Sequence, residues 1–452
     1  MCSLTQKYNV SGPRYTSYPT VPYWESNSFS GVQWNKTVNR SFIESNEGDG
    51  ISLYIHLPFC ESMCTFCGCH KRITKRHEVE IPYIKAVLKE WQLYCNLLDN
   101  KPRIKELHLG GGTPTFFAPE NLKMLINGIF SMATKAKGYE FSFEGHPNNT
   151  TYEHLEALYE LGFRRVCFGV QDYNRKVQLA INRIQSFKAV KQVTEWARAI
   201  GYTSVGHDII YGLPFQTLED VQNTITKTQE IGPDRLAFYS YAHVPWLKGN
   251  GQRGYLDKDL PTALEKSEQY KKGKALLKQV GYKEIGMDHF ALVEDSLFKA
   301  MTVGKLHRNF MGYTASSTKL LIGLGVSSIS DSWYGFAQNV KSVEEYQHLV
   351  ENNIIPIYRG HILSDEDQII RKHILNLMCN YTTSWKDAMR FSNLDDVLER
   401  LAPLQDDGLV IVENNTLKVT EAGKAFIRNI CMAFDVRLHA KKREEQLFSM
   451  TV

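Results

Sequence analysis

Six short apolar runs recur between residues 51 and 240, separated by segments of helical spacing, and this rhythm restricts the chain to folds built on a parallel sheet. The runs are Ile51–His56, Ile104–Leu109, Tyr139–Glu144, Arg164–Val170, Ser204–Ile210 and Arg235–Ser240. Ile51, Leu53 and Ile55 alternate in the first, and Tyr139, Phe141 and Phe143 in the third, which is the period of a strand. Phe187, Val190, Val193, Trp196 and Ile200 repeat every three or four residues behind Ser186, a helix with a candidate N-cap. Gly162, Gly201, Gly232 and Gly281 each close a helix-like segment just before the next strand. Glycine suits the left-handed residue that ends a helix, so the same αβ joint is used four times. Repeated βα units imply a parallel sheet, and six in succession predict an α/β fold: a partial, six-unit βα barrel. Chemistry in such folds lies beyond the C-terminal ends of the strands.

Four segments follow from this reading. Residues 1–48 form an N-terminal arm, 49–300 the partial barrel, 301–360 a barrel extension and connecting segment, and 361–452 a small winged-helix-like α+β domain. That last domain is expected from helices at Asp365–Cys379 and Leu394–Leu404, a hairpin of Gly408–Val412 and Thr416–Val419 turning at Glu413-Asn414-Asn415, and a long final helix from about Thr420. Its composition is not markedly basic, which points to a packing or lid module rather than a DNA reader. The net charge of +4 over 452 residues is spread thinly and forms no nucleic-acid arm. No signal-like apolar run opens the chain and no stretch of membrane-spanning length follows, so a cytoplasmic protein is expected, acting as a monomer without nucleic-acid or membrane partners.

Of nine cysteines, Cys60, Cys64, Cys67 and Cys69 fall within ten residues, immediately after the first strand. Such a cluster in a large chain without an export signal points to metal rather than to cystine. Cys2, Cys95, Cys167, Cys379 and Cys431 are scattered and read as inert thiols. Thiolates spaced by three and then two residues can converge on one loop, and Cys thiolates are the usual ligands of a [4Fe–4S] cluster. Three of them would leave one iron open; Cys69 or His70 could supply a fourth ligand but crowds the same turn. A structural zinc site would want a second ligand pair, and the chain has no other Cys pair.

Cys60-x3-Cys64-x2-Cys67, with Phe66 before the last cysteine, resembles the signature of radical S-adenosylmethionine (SAM) enzymes. Gly68-Cys69 narrows the likeness to the oxygen-independent coproporphyrinogen III oxidases (dehydrogenases). The segments Lys7–Thr20, Leu306–Thr314 and Ile427–Asp435 resemble the same family, so the similarity runs almost end to end.

The resemblance implies a barrel of the radical SAM type, a [4Fe–4S] cluster on Cys60, Cys64 and Cys67, and two molecules of S-adenosyl-L-methionine. Gly110-Gly111-Gly112-Thr113 follows the second strand, where glycines allow close backbone approach and successive N–H groups can hold a carboxylate. By resemblance Gly111, Tyr54, Glu144 and Ile329 serve the first cofactor molecule, Gly112, Thr113, Gln171, Arg183, Asp208 and Ala242 the second, and Phe66 belongs to the cofactor-binding set. Glu144 would pair with the cofactor ammonium group; its neighbours Gly145-His146-Pro147 depart from the pattern of many relatives. Arg14 and Arg308 are candidates for substrate propionates, because guanidinium forks suit carboxylates. Tyr15, Tyr18 and Tyr313 either line that pocket or belong to the core, and Cys69 lies close by.

The implied reaction is anaerobic. The reduced cluster splits S-adenosylmethionine into methionine and a 5′-deoxyadenosyl radical, which takes a hydrogen atom from a propionate of coproporphyrinogen III. Loss of carbon dioxide and one electron leaves a vinyl group, and two such events give protoporphyrinogen IX in haem biosynthesis. A low-potential electron donor is the expected partner. A related haem-binding chaperone is expected to lack Cys69 and the Gly12–Thr20 segment, both present here. A zinc-stabilised winged-helix regulator leaves the αβ region unexplained.

Overall fold

The computed structural model describes residues 4–246, 251–252, 254–440 and 446–451, so Cys2 lies outside the described residues. An N-terminal helix, α1 (Gly31–Ser45), precedes six strands: β1 (Ile51–Leu57), β2 (Arg103–Gly111), β3 (Thr134–Gly145), β4 (Arg165–Gln171), β5 (Ser204–Tyr211) and β6 (Arg235–Ser240). They match the six apolar runs, and each hydrogen-bonds to the next in parallel. The crossovers contain α2 (Glu80–Cys95), α3 (Pro119–Ser131), α4 (Tyr152–Glu160), α5 (Phe187–Ile200) and α6 (Leu218–Ile231), and α7 (Ala263–Gln279) follows β6. The four joint glycines are left-handed, with φ of 105° at Gly162, 114° at Gly201, 68° at Gly232 and 97° at Gly281. The Ser186 hydroxyl accepts from the Ala189 N–H at 3.1 Å and caps α5, as its sequence predicts.

All six expected βα units are present, and the sheet carries one parallel strand beyond them. After β7 (His289–Ala291), the strand β8 (Leu321–Leu324) returns to the far edge of β1 and pairs with it in parallel, making seven parallel strands. From there β9 (Ile329–Asp331), β10 (Gly335–Asn339) and β11 (Ile357–Ile362) extend the sheet antiparallel. With β7 and the two-residue strand Lys283–Glu284 at the other edge, one twelve-stranded sheet runs β11-β10-β9-β8-β1 through β7. Strands within residues 301–360 therefore extend the sheet beyond β1. The main core fills the space between the sheet and its helices, with Trp91, Tyr94, Phe141 and Phe163 fully buried.

The C-terminal module has α8 (Asp365–Asn380) and α9 (Leu394–Asp406), close to the expected helices. Its hairpin, Val410–Glu413 with Thr416–Val419, turns on Asn414 and Asn415 at φ 51° and 59°, and it gains a third strand, Thr382–Ser384, that no sequence signal marks. The single long final helix is not formed. A 3₁₀ turn at Gly423–Phe426 leads into α10 (Ile427–Phe434), and a separate helix, Val436–Ala440, follows Asp435. Asp435 breaks the run because its carboxylate accepts from the Tyr15 hydroxyl at 3.1 Å and caps the next helix through the Leu438 N–H at 2.9 Å. The N-terminal arm lies along this module: Arg428 on α10 donates to the carbonyls of Gly12 and Pro13. Among the described residues no helix is long and apolar enough to cross a membrane.

Candidate active site

The C-terminal ends of β1 to β6 deliver the sequence-predicted residues to one rim, as a parallel sheet requires. The cysteine loop leaves β1 and is joined to the loop after β2. Gly112 N–H donates to the Leu57 carbonyl at 2.8 Å and Thr113 N–H to Phe59 at 3.0 Å. Cys60 Sγ lies 3.3 Å from Thr113 Oγ1, and Arg183 Nη1 donates to Cys64 Sγ at 3.7 Å while its Nη2 holds the Gly169 carbonyl at 2.8 Å. Lys71 ties the loop by donating to the Cys67 and Cys69 carbonyls at 3.1 and 3.3 Å. Cys60, Cys64 and Cys67 share the wall of a cavity of about 230 Å³ with Phe66, Gly112, Thr113 and Arg183, whereas Cys69 is exposed. Among the described residues no three Cys, His, Asp or Glu side chains close on one point as a single ion requires. Three thiolates carried by one loop on one cavity wall are the donor chemistry of an iron–sulfur cluster, so the residues present fit that group.

The glycines of the β2 loop are there for steric reasons. A Cβ on Gly112 would stand 2.5 Å from the Pro58 carbonyl oxygen, and Gly111 has φ +113° with the His56 ring 2.8 Å from where its Cβ would be. His56 supports the loop from below. The His70 carbonyl at 2.9 Å can only accept, so Nε2 carries the proton and Nδ1 accepts from the Tyr54 hydroxyl at 3.0 Å. Burial lowers this imidazole to about 4 and keeps it neutral.

Below the rim, the inward faces of β2 to β6 enclose a lumen of about 130 Å³, with Glu144 and Asp208 near its mouth. Glu144 keeps half its side chain exposed, and His108 Nε2 lies 3.6 Å from it. His108 in turn stacks on Tyr54 at 6.0 Å between ring centres. Gln171 ends β4 at φ +65° beside an irregularity in the β4–β5 register, which re-aims its side chain; its buried Oε1 has no partner. Burial raises the Asp208 carboxyl to about 7, the Glu144 charge adding, with the Cys167 thiol (donating at 3.2 Å) and the Arg183 charge opposing. A carboxyl with a folded pKa above its unfolded value near 3.8 destabilises the folded chain once ionised. The penalty is absent below the unfolded value, grows through the interval, and is complete above about 7. Asp208→Asn is therefore expected to raise Tm of the cofactor-free protein at pH 8, by a few kcal/mol of stability at most. That gain shrinks toward zero as pH falls to 4; thermal scans showing a gain independent of pH would refute it.

Several expected residues stand elsewhere. The guanidinium of Arg14 is held by Asp288 at 3.2 Å and the Ser240 carbonyl at 2.7 Å, beside a separate cavity between α7 and the C-terminal module. Tyr15 and Tyr18 belong to the C-terminal core, 2% and 1% exposed, so the pocket-lining alternative fails for them. Tyr313 does line the lumen. Ile329 sits on β9 and packs against the Trp24, Phe336 and Leu363 cluster. Cys167, read as inert, instead faces the lumen. Gln252 was not foreseen: 2% exposed, it donates to the carbonyls of Phe66 at 3.1 Å and Ala242 at 3.0 Å, tying the cysteine loop to the end of β6. One glutamine in an irregular loop carries no periodic or motif signal.

Residues 54–227 match the family model of the Radical SAM superfamily. The chain is 38% identical over 460 residues to the oxygen-independent coproporphyrinogen III oxidase of Synechocystis sp., covering 99% of this chain and 97% of that one. It is also 38% identical to the Escherichia coli protein of the same name, covering 98% and 97%. Among solved structures, coproporphyrinogen III oxidase (HemN) from Escherichia coli, described as a radical SAM enzyme, superposes with a TM-score of 0.88 at 37% identity, covering 94% of this chain and 98% of that one.

Proposed function

From the membership of this chain in the oxygen-independent coproporphyrinogen III oxidases, a family of the radical SAM superfamily, we propose the following assignment of its residues to that family's reaction. The protein is an oxidoreductase of haem biosynthesis that uses a [4Fe–4S] cluster and S-adenosylmethionine to decarboxylate propionates of coproporphyrinogen III. For each vinyl group made, a propionate gives up one hydrogen atom, carbon dioxide and one electron; a low-potential donor and a one-electron acceptor complete the balance. The bound cluster and cofactor supply the hydrogen-atom abstraction that no acid or base of ordinary pKa can perform on an unactivated C–H bond.

The chain's own residues bind and orient. Cys60, Cys64 and Cys67 hold the cluster, with Arg183 placing positive charge beside Cys64. The Gly111-Gly112-Thr113 backbone and Phe66 shape the cofactor cradle, while Tyr54 fixes the His56 support below it. Glu144, exposed at the lumen mouth, receives an ammonium group. Gln171, Arg183, Asp208 and Ala242 form the second cofactor position, where the unpartnered Gln171 oxygen and the raised Asp208 carboxyl suit a polar ligand. Arg308 receives a propionate; Arg14, already held by Asp288, positions the arm. We read the protein as cytoplasmic, in keeping with the eight free thiols among its described residues.

The observation that carries this assignment is the three cysteines around one cavity, bounded by Gly112, Thr113 and Arg183. The test is anaerobic: the reconstituted protein receives dithionite, S-adenosylmethionine and coproporphyrinogen III, and products are followed by mass spectrometry. Protoporphyrinogen with 5′-deoxyadenosine is expected. Cofactor cleavage without decarboxylation would discard the substrate, and bound haem without turnover would favour the chaperone.

A further inference from the structure

A cavity of about 680 Å³ lies on the outer side of β5 and β6, between α7, the N-terminal arm and the turn that leads into α10. Alternate residues of a strand face opposite ways, so Asp208 and Tyr239 turn into the lumen while Tyr211 and Ser240 turn out to this cavity. Its volume falls within the roughly 300–1,000 Å³ of small-molecule sites. The lumen, at about 130 Å³, and the cysteine cavity, at about 230 Å³, are both smaller than that range. None of the residues assigned above to the cluster or to S-adenosylmethionine lines the outer cavity.

Charge decides what this cavity can take. Seven cationic side chains line it against two carboxylates, Asp288 and Glu421. Both carboxylates are already engaged: Asp288 holds Arg14 at 3.2 Å, and Glu421 lies 2.6 Å from Lys424 and 3.7 Å from Lys278. Glu284, which is not on the wall, takes Lys274 at 2.8 Å. Lys271 and Arg428 have no carboxylate within ion-pair distance among the described residues, and Arg428 donates instead to main-chain carbonyls of the arm and of Met450. Burial, with the charges of Arg14 and Arg428, lowers the Lys266 ammonium to about 8. Burial, with the Arg14 charge, lowers Arg428 to about 10. Three cations from three elements thus repel one another across one space, and an anion set between them relieves all three.

The remaining wall sets the shape of that anion. Tyr211 and Tyr270 pack with ring centres 5.5 Å apart, and Met287, Phe426 and Ile427 complete an apolar face. Lysine ammonium groups are compact point charges on flexible stems, which suits carboxylates at the ends of movable arms more than one fixed bidentate group. A flat apolar body with several carboxylate arms matches both halves of the wall. We infer that this cavity is a second tetrapyrrole site, outside the barrel, in which the macrocycle lies against the aromatic face and its carboxylates meet Lys266 and Lys271. Arm, α7 and C-terminal module all contribute residues, so the ligand ties the three together. That the polyanion is a tetrapyrrole rests on the substrate proposed above; the cationic and aromatic wall does not depend on it.

The test is equilibrium dialysis of the full-length, cluster-loaded chain against coproporphyrin III, the oxidised and unreactive form of the substrate, with its tetramethyl ester as the uncharged control. Lys266→Met keeps the stem of the side chain and removes its charge. It is expected to weaken one equivalent of bound coproporphyrin III by about 30-fold or more, the factor a lost buried charge contact carries. Lys271→Glu, at an exposed position outside any ion pair among the described residues, guards against a folding defect and should weaken the same equivalent severalfold. Turnover of coproporphyrinogen III should stay at the wild-type kcat in both variants, because neither residue touches the rim. Wild-type stoichiometry and affinity in both variants overturns the outer site, and so does an ester that binds there as tightly as the acid. Wild-type protein that shows no turnover yet binds a Lys266-dependent equivalent would discard the proposed substrate and keep the site, so the two failures are distinguishable.

Discussion

Cys64→Ala is expected to return iron and sulfide content, and turnover of coproporphyrinogen III, to background after anaerobic reconstitution, while the protein keeps its fold. Cys64 sits on the cavity wall with Cys60 and Cys67, and two thiolates cannot replace three. The Arg183 Nη1 contact at 3.7 Å is lost with the sulfur. The backbone of the loop is unaffected, because Cys67 N–H bonds to the Cys64 carbonyl at 3.3 Å and Thr65 N–H to Ile181 at 3.0 Å. Circular dichroism and Tm of the metal-free variant should match the metal-free parent. Cys69→Ala makes the informative companion: exposed and off the cavity wall, Cys69 is expected to be dispensable for iron. Full iron and activity in Cys64→Ala, or loss of iron in Cys69→Ala, would reassign the ligands.

Gly112→Ala carries the second largest expected effect. The added Cβ would meet the Pro58 carbonyl oxygen at 2.5 Å, its carbon at 2.6 Å and the Phe59 oxygen at 2.8 Å. All three are backbone atoms, so no side chain can rotate away, and the loops after β1 and β2 must separate. The Gly112–Leu57 and Thr113–Phe59 hydrogen bonds then stretch, and the cradle moves relative to the cysteines. Overpacking of this kind costs about 1–3 kcal/mol of stability. Displacing a cofactor cradle by about 1 Å costs on the order of 100-fold in kcat/KM. Gly31→Ala, at a position with nothing within 4 Å, is the control and should be neutral. Unaltered kcat/KM in a folded Gly112→Ala protein would show that the cradle tolerates the side chain.

Whatever was encoded over ten or so residues was legible in the sequence. The six strands, the four left-handed glycines, the Ser186 cap and the Asn414-Asn415 turn are local balances of periodicity, capping and backbone sterics, and all formed where predicted. The cysteine spacing belongs to the same class, since three thiolates on one loop need no distant partner to come together. The final helix failed at Asp435 because a residue 420 positions away decides its side chain: the Tyr15 hydroxyl bonds there, and helix propensity is too weak a preference to resist.

Long-range partners account for the other departures. Arg14 and Arg308 look alike in sequence, each within a segment that resembles the same family, yet only tertiary structure places Asp288 beside Arg14 and leaves Arg308 without a carboxylate partner among the described residues. The seventh parallel strand, the Gln252 bridge and the lumen-facing Cys167 arise the same way, from which sheet edge or strand face packing left available. By itself, then, the sequence determined the αβ rhythm and the chemistry of the cysteine loop, because both are short-range. Which arginine holds a carboxylate was decided only by the folded chain, because a charge takes its character from neighbours brought from hundreds of residues away.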